Sequence, residues 1–145
     1  MPVDFFEYRV NRGELADEKS EALAHQVIGA AIEVHKRLHA GLPEGVYQKA
    51  MEHELTLRGI PFIAQAAVPI HYKGVAVGMG YVDLLVDSLL VVELKSVERL
   101  ADAHRDQVVA YLVALQKRLG LLINFNVNLL KSGLKRVVYD PIISS

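Results

Sequence analysis

From Ser20 onward, apolar residues recur every three or four positions, at Leu23, Val27, Ala31, Val34 and Leu38. That spacing places them on one face of a helix, with Ser20 as its N-cap and an end before Gly41. The pattern then restarts. Pro43 suits the first turn of a second helix, Glu44 complements the positive end of its dipole, and Tyr47 and Gln48 follow Glu44 on the same face. This helix runs through Ala50, Glu54 and Leu57 to a C-cap at Gly59, and Pro61 blocks its continuation. Beyond it the period becomes two. Phe62, Ala64, Ala66, Val68 and Ile70 alternate as on a strand with one buried face, and Pro69 argues for an edge position or a strand end. Lys73-Gly74 makes a turn, and Gly78 and Gly80 around Met79 predict a bulge or a close backbone approach.

Two apolar runs, Tyr81–Val86 and Leu89–Leu94, read as strands joined at the turn-forming pair Asp87-Ser88. After Lys95 the pattern is helical again. Asp102 is the expected cap, with Val108, Val109, Leu112, Leu115 and Leu119 turned inward and Gly120 as the stop. Leu121–Phe125 and Leu134–Tyr139 read as two more strands, with Asn126, Asn128 and Ser132-Gly133 as loop between them. Helix, helix, three strands, helix and two strands imply one α/β sandwich around a mixed sheet. The expected division is an N-terminal arm over 1–20, the domain over 21–140 and a tail over 141–145.

Composition narrows the class. The 145 residues, 52% of them hydrophobic, suit one compact domain with a sizeable core. The absence of cysteine removes disulfides and thiolate zinc sites and is compatible with a reducing compartment. No apolar run has signal-peptide or membrane-span length, so a cytoplasmic protein without a membrane partner is the expectation. The formal net charge of −1 exerts no global pull on polyanions. Locally the balance differs: Lys95–Ser145 carries 8 Lys/Arg against 4 Asp/Glu, a surplus of +4 that can face one. Lys131, Lys135 and Arg136 there serve either as phosphate contacts or as solubilising charge on an edge strand. His25, His35 and His39 are read as a solvated helix face and end, not as a metal site.

The candidate chemistry comes from charge placed where a buried strand should have none: Asp83 in the first hairpin strand, Glu93 and Lys95 in the second. Side chains alternate across a strand, so Glu93 and Lys95 point one way while Val92 and Leu94 point the other. Hairpin pairing brings Asp83 beside Glu93. Buried charges are costly unless they pair or bind a cation. A structural ion pair of Lys95 with either carboxylate is one solution. Two hard oxygen ligands on one face also suit Mg²⁺, with a lysine beside them to orient water or offset negative charge. Further along, Gln107 and Tyr111 share a helix face, with His104 one turn earlier. Taken alone, that is a polar stripe on an amphipathic helix.

The pattern of Asp83, then Glu93 and Lys95, resembles the PD-(D/E)XK nuclease superfamily, marked by an Asp on one strand and a Glu-x-Lys on the next. Gly41, Glu44 and Tyr47 add G-x-x-E-x-x-Y, the hallmark of the bacterial GxxExxY proteins within that superfamily. The remaining elements follow in the family's order, from Val68–Gly74 through Gln107 and Tyr111 to Gly120–Phe125, so the resemblance spans Leu23 to Tyr139. It departs at Tyr81-Val82, where many relatives carry an Arg just before the Asp.

The resemblance implies a restriction-endonuclease-like sandwich that hydrolyses phosphodiester bonds, with DNA as the expected nucleic-acid substrate. Asp83, Glu93 and the carbonyl of Leu94 would hold Mg²⁺ or Mn²⁺, and Glu44 would add a carboxylate directly or through water. Lys95 would orient or help deprotonate water, Gln107 and Tyr111 would position the scissile strand, and His104 would contact a phosphate. The rival readings are a nucleic-acid-binding module without turnover and an interaction protein whose charged cluster is a structural ion network. A homodimer or a protein partner stays open, because no residue establishes one.

Overall fold

The computed structural model describes residues 17–140; the first sixteen residues of the expected arm and the tail 141–145 lie outside them. Helices α1 (Glu18–Leu38) and α2 (Glu44–Leu57) precede β1 (Phe62–Tyr72), β2 (Val75–Val86) and β3 (Leu90–Lys95). Then come α3 (Asp102–Leu115), β4 (Leu119–Asn124), a 3-10 turn at Leu130–Gly133 and β5 (Leu134–Val138). The strands lie in the order β1-β2-β3-β4-β5. Only β3 and β4 run parallel, and a parallel pair needs a crossover, which α3 supplies.

Each face of the sheet has its own core. Val27 of α1 and Tyr47, Met51 and Leu55 of α2 pack with Leu84, Val86, Leu90, Val92 and Leu121 on one side. Val108 and Leu112 of α3 pack with Val82, Val91 and Leu122 on the other. The protein is thus an α/β sandwich, a five-stranded mixed sheet flanked by three helices among the described residues. Covering both faces is why Leu90–Leu94 reads as a nearly unbroken apolar run. Among the described residues no helix is long and apolar enough to cross a membrane.

Several boundaries differ from the sequence expectation. Asp17, not Ser20, caps α1: its carboxylate accepts the Ser20 N–H at 2.8 Å and the Ser20 hydroxyl at 3.0 Å, leaving Ser20 buried inside the first turn. Ala101 holds the cap position of α3, and Asp102 is its first helical residue, 3.8 Å from Arg105. That helix stops at Leu115, with Gln116 left-handed at φ 56°, and both Leu119 and Gly120 belong to β4. Gly120 is not a helix stop but a contact point. A Cβ there would lie 2.7 Å from Cγ1 of Val108, so the glycine lets α3 sit directly on the sheet. A short apolar run fits helix and strand alike, and here the pairing of Leu119–Asn124 between β3 and β5 decided it.

Of the three histidines, His25 and His39 are exposed as expected and one differs. His35 is buried, with Nε2 2.8 Å from the carbonyl of Val127, so it ties α1 to the loop after β4. Arg136 forms an ion pair with Glu21 of α1, which gives it a structural role in place of a phosphate contact.

Candidate active site

The site begins at the turn between β2 and β3. Asp87 and Ser88 both take left-handed φ, 50° and 56°, as a tight type I′ hairpin requires. With Leu89 as a third loop residue, its N–H on the Val86 carbonyl at 2.9 Å, the register is Val86↔Leu90, Leu85↔Val91 and Leu84↔Val92. One step on, where Asp83 faces Glu93, side chains replace the ladder. The Asp83 N–H donates to Oε1 of Glu93 at 2.8 Å, and the Leu94 N–H donates to Oδ2 of Asp83 at 2.8 Å. Each carboxylate is therefore anchored by one oxygen on the other residue's strand, at the point where β2 departs with β1 and β3 continues beside β4.

The sheet changes face at the same place. Ala64 and Leu84 pack toward α1 and α2, whereas Ala66 and Val82, two residues away, pack toward α3. Strict alternation would keep them on one side. Gln65, opposite Asp83, absorbs the change with φ 49°, the only left-handed residue inside a strand among the described residues. Its Nε2 donates to Oδ1 of Asp83 at 3.2 Å, and Gln48 of α2 donates to the Asp83 carbonyl at 3.0 Å. Neither contact was legible in the sequence, because glutamine carries no signal for a left-handed strand residue. Glycine adopts this φ without strain, and alanine does not. Gln65→Gly is therefore expected to be more stable than Gln65→Ala by about 1 kcal/mol in urea unfolding, although both lose the same amide. Equal stabilities would show that the backbone there is unstrained.

Glu93 is only 5% exposed. Burial, then the neighbouring Asp83 charge, pushes its pKa up to about 7; the Asp83 backbone N–H and the Lys95 charge pull it down, and the Glu44 charge raises it. Lys95 is half-buried and, among the described residues, its ammonium pairs with neither carboxylate. The structural ion pair that would explain the cluster without chemistry is thus not formed.

Glu44 is presented by a locked loop. Gly41 turns with φ 104°, and Tyr47, fully buried, donates its hydroxyl proton to the His39 carbonyl and accepts the Leu42 N–H at 3.2 Å. The Tyr47 ring stacks on Phe125, centroids 4.5 Å apart, and the Ser96 hydroxyl donates to the Leu42 carbonyl at 2.6 Å. In G-x-x-E-x-x-Y the glycine and tyrosine therefore fix the loop that leaves Glu44 exposed at the start of α2. Buried Asn124 locks the other side: its amide accepts the Val97 N–H and donates to the Val97 carbonyl, while the Phe125 N–H donates to the Lys95 carbonyl. The sequence reading missed Ser96, Asn124 and Phe125, since nothing local marks them.

Tyr111 of α3 lies over Gly80, where a Cβ would come within 2.6 Å of its ring, so the close backbone approach expected at Gly80 is present. Gln107 is exposed and donates to the Tyr111 hydroxyl at 3.4 Å. Among the described residues, no hydrogen bond joins this pair to Asp83 or Glu93. His104 uses Nδ1 to accept the Ala101 N–H at 2.9 Å and so caps its own helix.

The structure thus brings Asp83, Glu93 and Leu94 into direct contact, with Lys95 and Glu44 near enough for their charges to bear on Glu93. No third His, Cys, Asp or Glu joins the pair as a metal-holding group among the described residues. The donor chemistry nevertheless fits a hard divalent cation. Oε2 of Glu93 accepts no hydrogen bond and Oδ1 of Asp83 accepts only that of Gln65, among the described residues. A cation held by these oxygens would offset the burial and the Asp83 repulsion that raise the Glu93 pKa, and Mg²⁺ commonly completes its shell with water.

Comparison with curated proteins finds no match, and comparison with solved structures finds none. Comparison with protein families matches the PD-(D/E)XK nuclease superfamily over residues 21–137, a stretch that carries the hairpin, the locked loop and α3 together. With that span matched and the fold in agreement, the chain belongs to the PD-(D/E)XK nuclease superfamily.

Proposed function

We propose that this protein is a metal-dependent nuclease of the GxxExxY type that hydrolyses phosphodiester bonds in DNA. The observation that carries the reading is the mutual anchoring of Asp83 and Glu93, with Lys95 beside them uncommitted to either. Carboxylates held this close with no ion pair closed on either carry a cost that a bound cation would offset.

Asp83, Glu93 and the Leu94 carbonyl would hold Mg²⁺ or Mn²⁺, which when bound supplies Lewis-acid polarisation of the phosphate and of the attacking water. Gln65 and the two backbone amides keep the carboxylates from rotating, and Gln48 holds the Asp83 main-chain carbonyl. Lys95 holds the water in line with the scissile bond and offsets the negative charge that builds on the phosphoryl oxygens. Glu44, exposed at the start of α2, acts on this centre through water. Gln107 and Tyr111 hold the strand from α3, and His104 contributes to phosphate contact through the nitrogen its cap leaves over.

The test is cleavage of labelled single- and double-stranded DNA with Mg²⁺, Mn²⁺ or EDTA. Metal-dependent cutting by the wild type, lost in Lys95→Ala, supports the enzyme. A folded protein that retains DNA but cuts with no metal would instead be a binding module. A separate prediction concerns Tyr111. Gly80→Ala drives a methyl against the far end of that ring, which can swing away. The melting temperature is expected to change little while cleavage slows roughly tenfold, in keeping with the cost of small misplacements. Unchanged cleavage would remove Tyr111 from the substrate path.

A further inference from the structure

A cavity of about 340 Å³ opens at the end of β4, beside the loop that leads from β3 to α3. Its walls include Glu98 and Arg99 of that loop, Asn124 of β4, Ser132 and Gly133 of the 3-10 turn, and Lys135 of β5. They are held from both sides. Asn124 ties the loop through Val97, accepting its N–H at 3.0 Å and donating to its carbonyl at 2.9 Å. Gly133 lies against the Asn124 carbonyl so closely that no Cβ fits between them, which presses the turn onto the strand end.

We infer that this cavity binds a phosphate of the nucleic-acid strand, away from the scissile bond. The first argument is charge. Arg99 is exposed and Lys135 half-buried, and among the described residues no ion pair engages either. A planar guanidinium and an ammonium thus line one cavity against the single carboxylate of Glu98, with the exposed Ser132 hydroxyl as a further donor. That donor set suits phosphate oxygens. The surplus of one positive charge over Glu98 matches one phosphodiester.

The second argument is register. Glu93 and Lys135 both pair with Leu122, from either side of β4, and Leu122 packs toward α3. Paired residues share a face, so Lys135 stands on the face of Glu93, two strand spacings or about 10 Å away. A nucleic-acid strand advances about 3.4 Å per phosphate along a duplex axis, so a few nucleotides span that gap. Arg136, the next residue, points to the opposite face and pairs with Glu21 of α1. Alternation therefore separates two adjacent cations that look alike in the sequence. The cavity and the contact of Tyr111 with Gly80 of β2 lie on opposite sides of β3, so the strand is gripped on both sides of the bond.

The inference deepens the nuclease reading and rests on it for which bond is cut. The grip on the strand is read without cleavage. A contact remote from the reacting atoms is made equally in the ground state and the transition state, so its loss raises KM and leaves kcat unchanged, in contrast to loss of Lys95.

The experiment is titration of labelled single- and double-stranded DNA with the full chain in EDTA, over a range of salt concentrations. The proteins are the wild type, Arg99→Gln, Lys135→Gln, the two combined, Glu98→Gln, and Lys36→Gln as an exposed cation of α1 outside the cavity. Arg99→Gln and Lys135→Gln are each expected to weaken binding roughly tenfold. The double variant should lower the slope of log affinity against log salt by about 0.7 on a single strand or about 0.9 on a duplex, the loss of one phosphate. Glu98→Gln should tighten binding roughly threefold by removing a repulsion, and Lys36→Gln should do neither. The substituted cavity residues close no ion pair among the described residues, so melting should match the wild type. A wild type that binds no DNA, or DNA affinity that the cavity variants leave unchanged, overturns the inference. So does loss of affinity for inorganic phosphate alone, which would assign the cavity to a free anion. Binding that follows the expected pattern in a protein that cuts with no metal would retain the inference while removing the nuclease. Metal-dependent cutting indifferent to the double variant would do the reverse.

Discussion

Lys95→Ala is expected to cleave about 10²–10³-fold more slowly than the wild type, with an unfolding free energy within about 0.5 kcal/mol of it. The two halves of this expectation have different causes. On the proposed role the rate falls because the Lys95 ammonium offsets the negative charge that develops on the phosphoryl oxygens, and such a donor is worth far more in a partly dry site than in water. Stability holds because Lys95 closes no ion pair with Asp83 or Glu93, and the strand end is kept by the Phe125 N–H on the Lys95 carbonyl, which alanine retains. Lys95→Arg keeps the charge but spreads it over a larger, planar group, so partial activity is expected. A second signature separates this role from a structural one. The Lys95 charge helps hold the Glu93 pKa down, so its removal should move the residual activity to higher pH. Wild-type rates in Lys95→Ala, or a variant that no longer folds, would end this assignment.

In chelator, the protein is expected to lose about 3 kcal/mol of stability as the pH rises from about 4.5 to about 7, and Glu93→Gln is expected to abolish most of that loss. Folded Glu93 keeps its proton until about pH 7, against the ordinary 4.5, chiefly because burial and the Asp83 charge disfavour the carboxylate. Between those pH values the folded chain binds a proton that the unfolded chain has released. The slope of stability with pH is therefore negative: the contribution is fully present below the unfolded pKa and lost as the pH passes through the folded one. In Glu93→Gln the side-chain amide oxygen can still accept the Asp83 N–H, so the comparison removes the charge and keeps the geometry. Mg²⁺ or Mn²⁺ at pH 8 should reverse the wild-type penalty and raise its melting temperature, with little effect on Glu93→Gln. Thermal melts at pH 5 and pH 8, with and without metal, read this without any substrate. A flat wild-type profile would mean that Glu93 is better solvated than its 5% exposure implies.

Much of the site could be read before the fold was known. Period-two alternation and the turn at Asp87-Ser88 were enough to bring Asp83 near the Glu93 strand, but a two-residue turn would set it opposite Val92; Leu89 joins the loop as a third residue, and the resulting register sets Asp83 opposite Glu93. Gly80 was legible as a close approach, though not that Tyr111 makes it. Helix ends were less legible. Asp17 and Ser20 are both good caps, and the choice turned on which side chain reached the free N–H. Gly120 looked like a stop signal until α3 was seen packed against it.

The layers, the hairpin and the two carboxylates it carries follow from residue order alone, since they depend on neighbours a few residues apart. What holds that pair and its surroundings in place belongs to the tertiary structure. The left-handed Gln65 opposite Asp83, the Ser96–Leu42 bond across 54 residues and the His35–Val127 bond across 92 all join segments that no local pattern connects. Such contacts form because buried donors and acceptors must find partners wherever packing brings them together, and packing is a property of the whole fold.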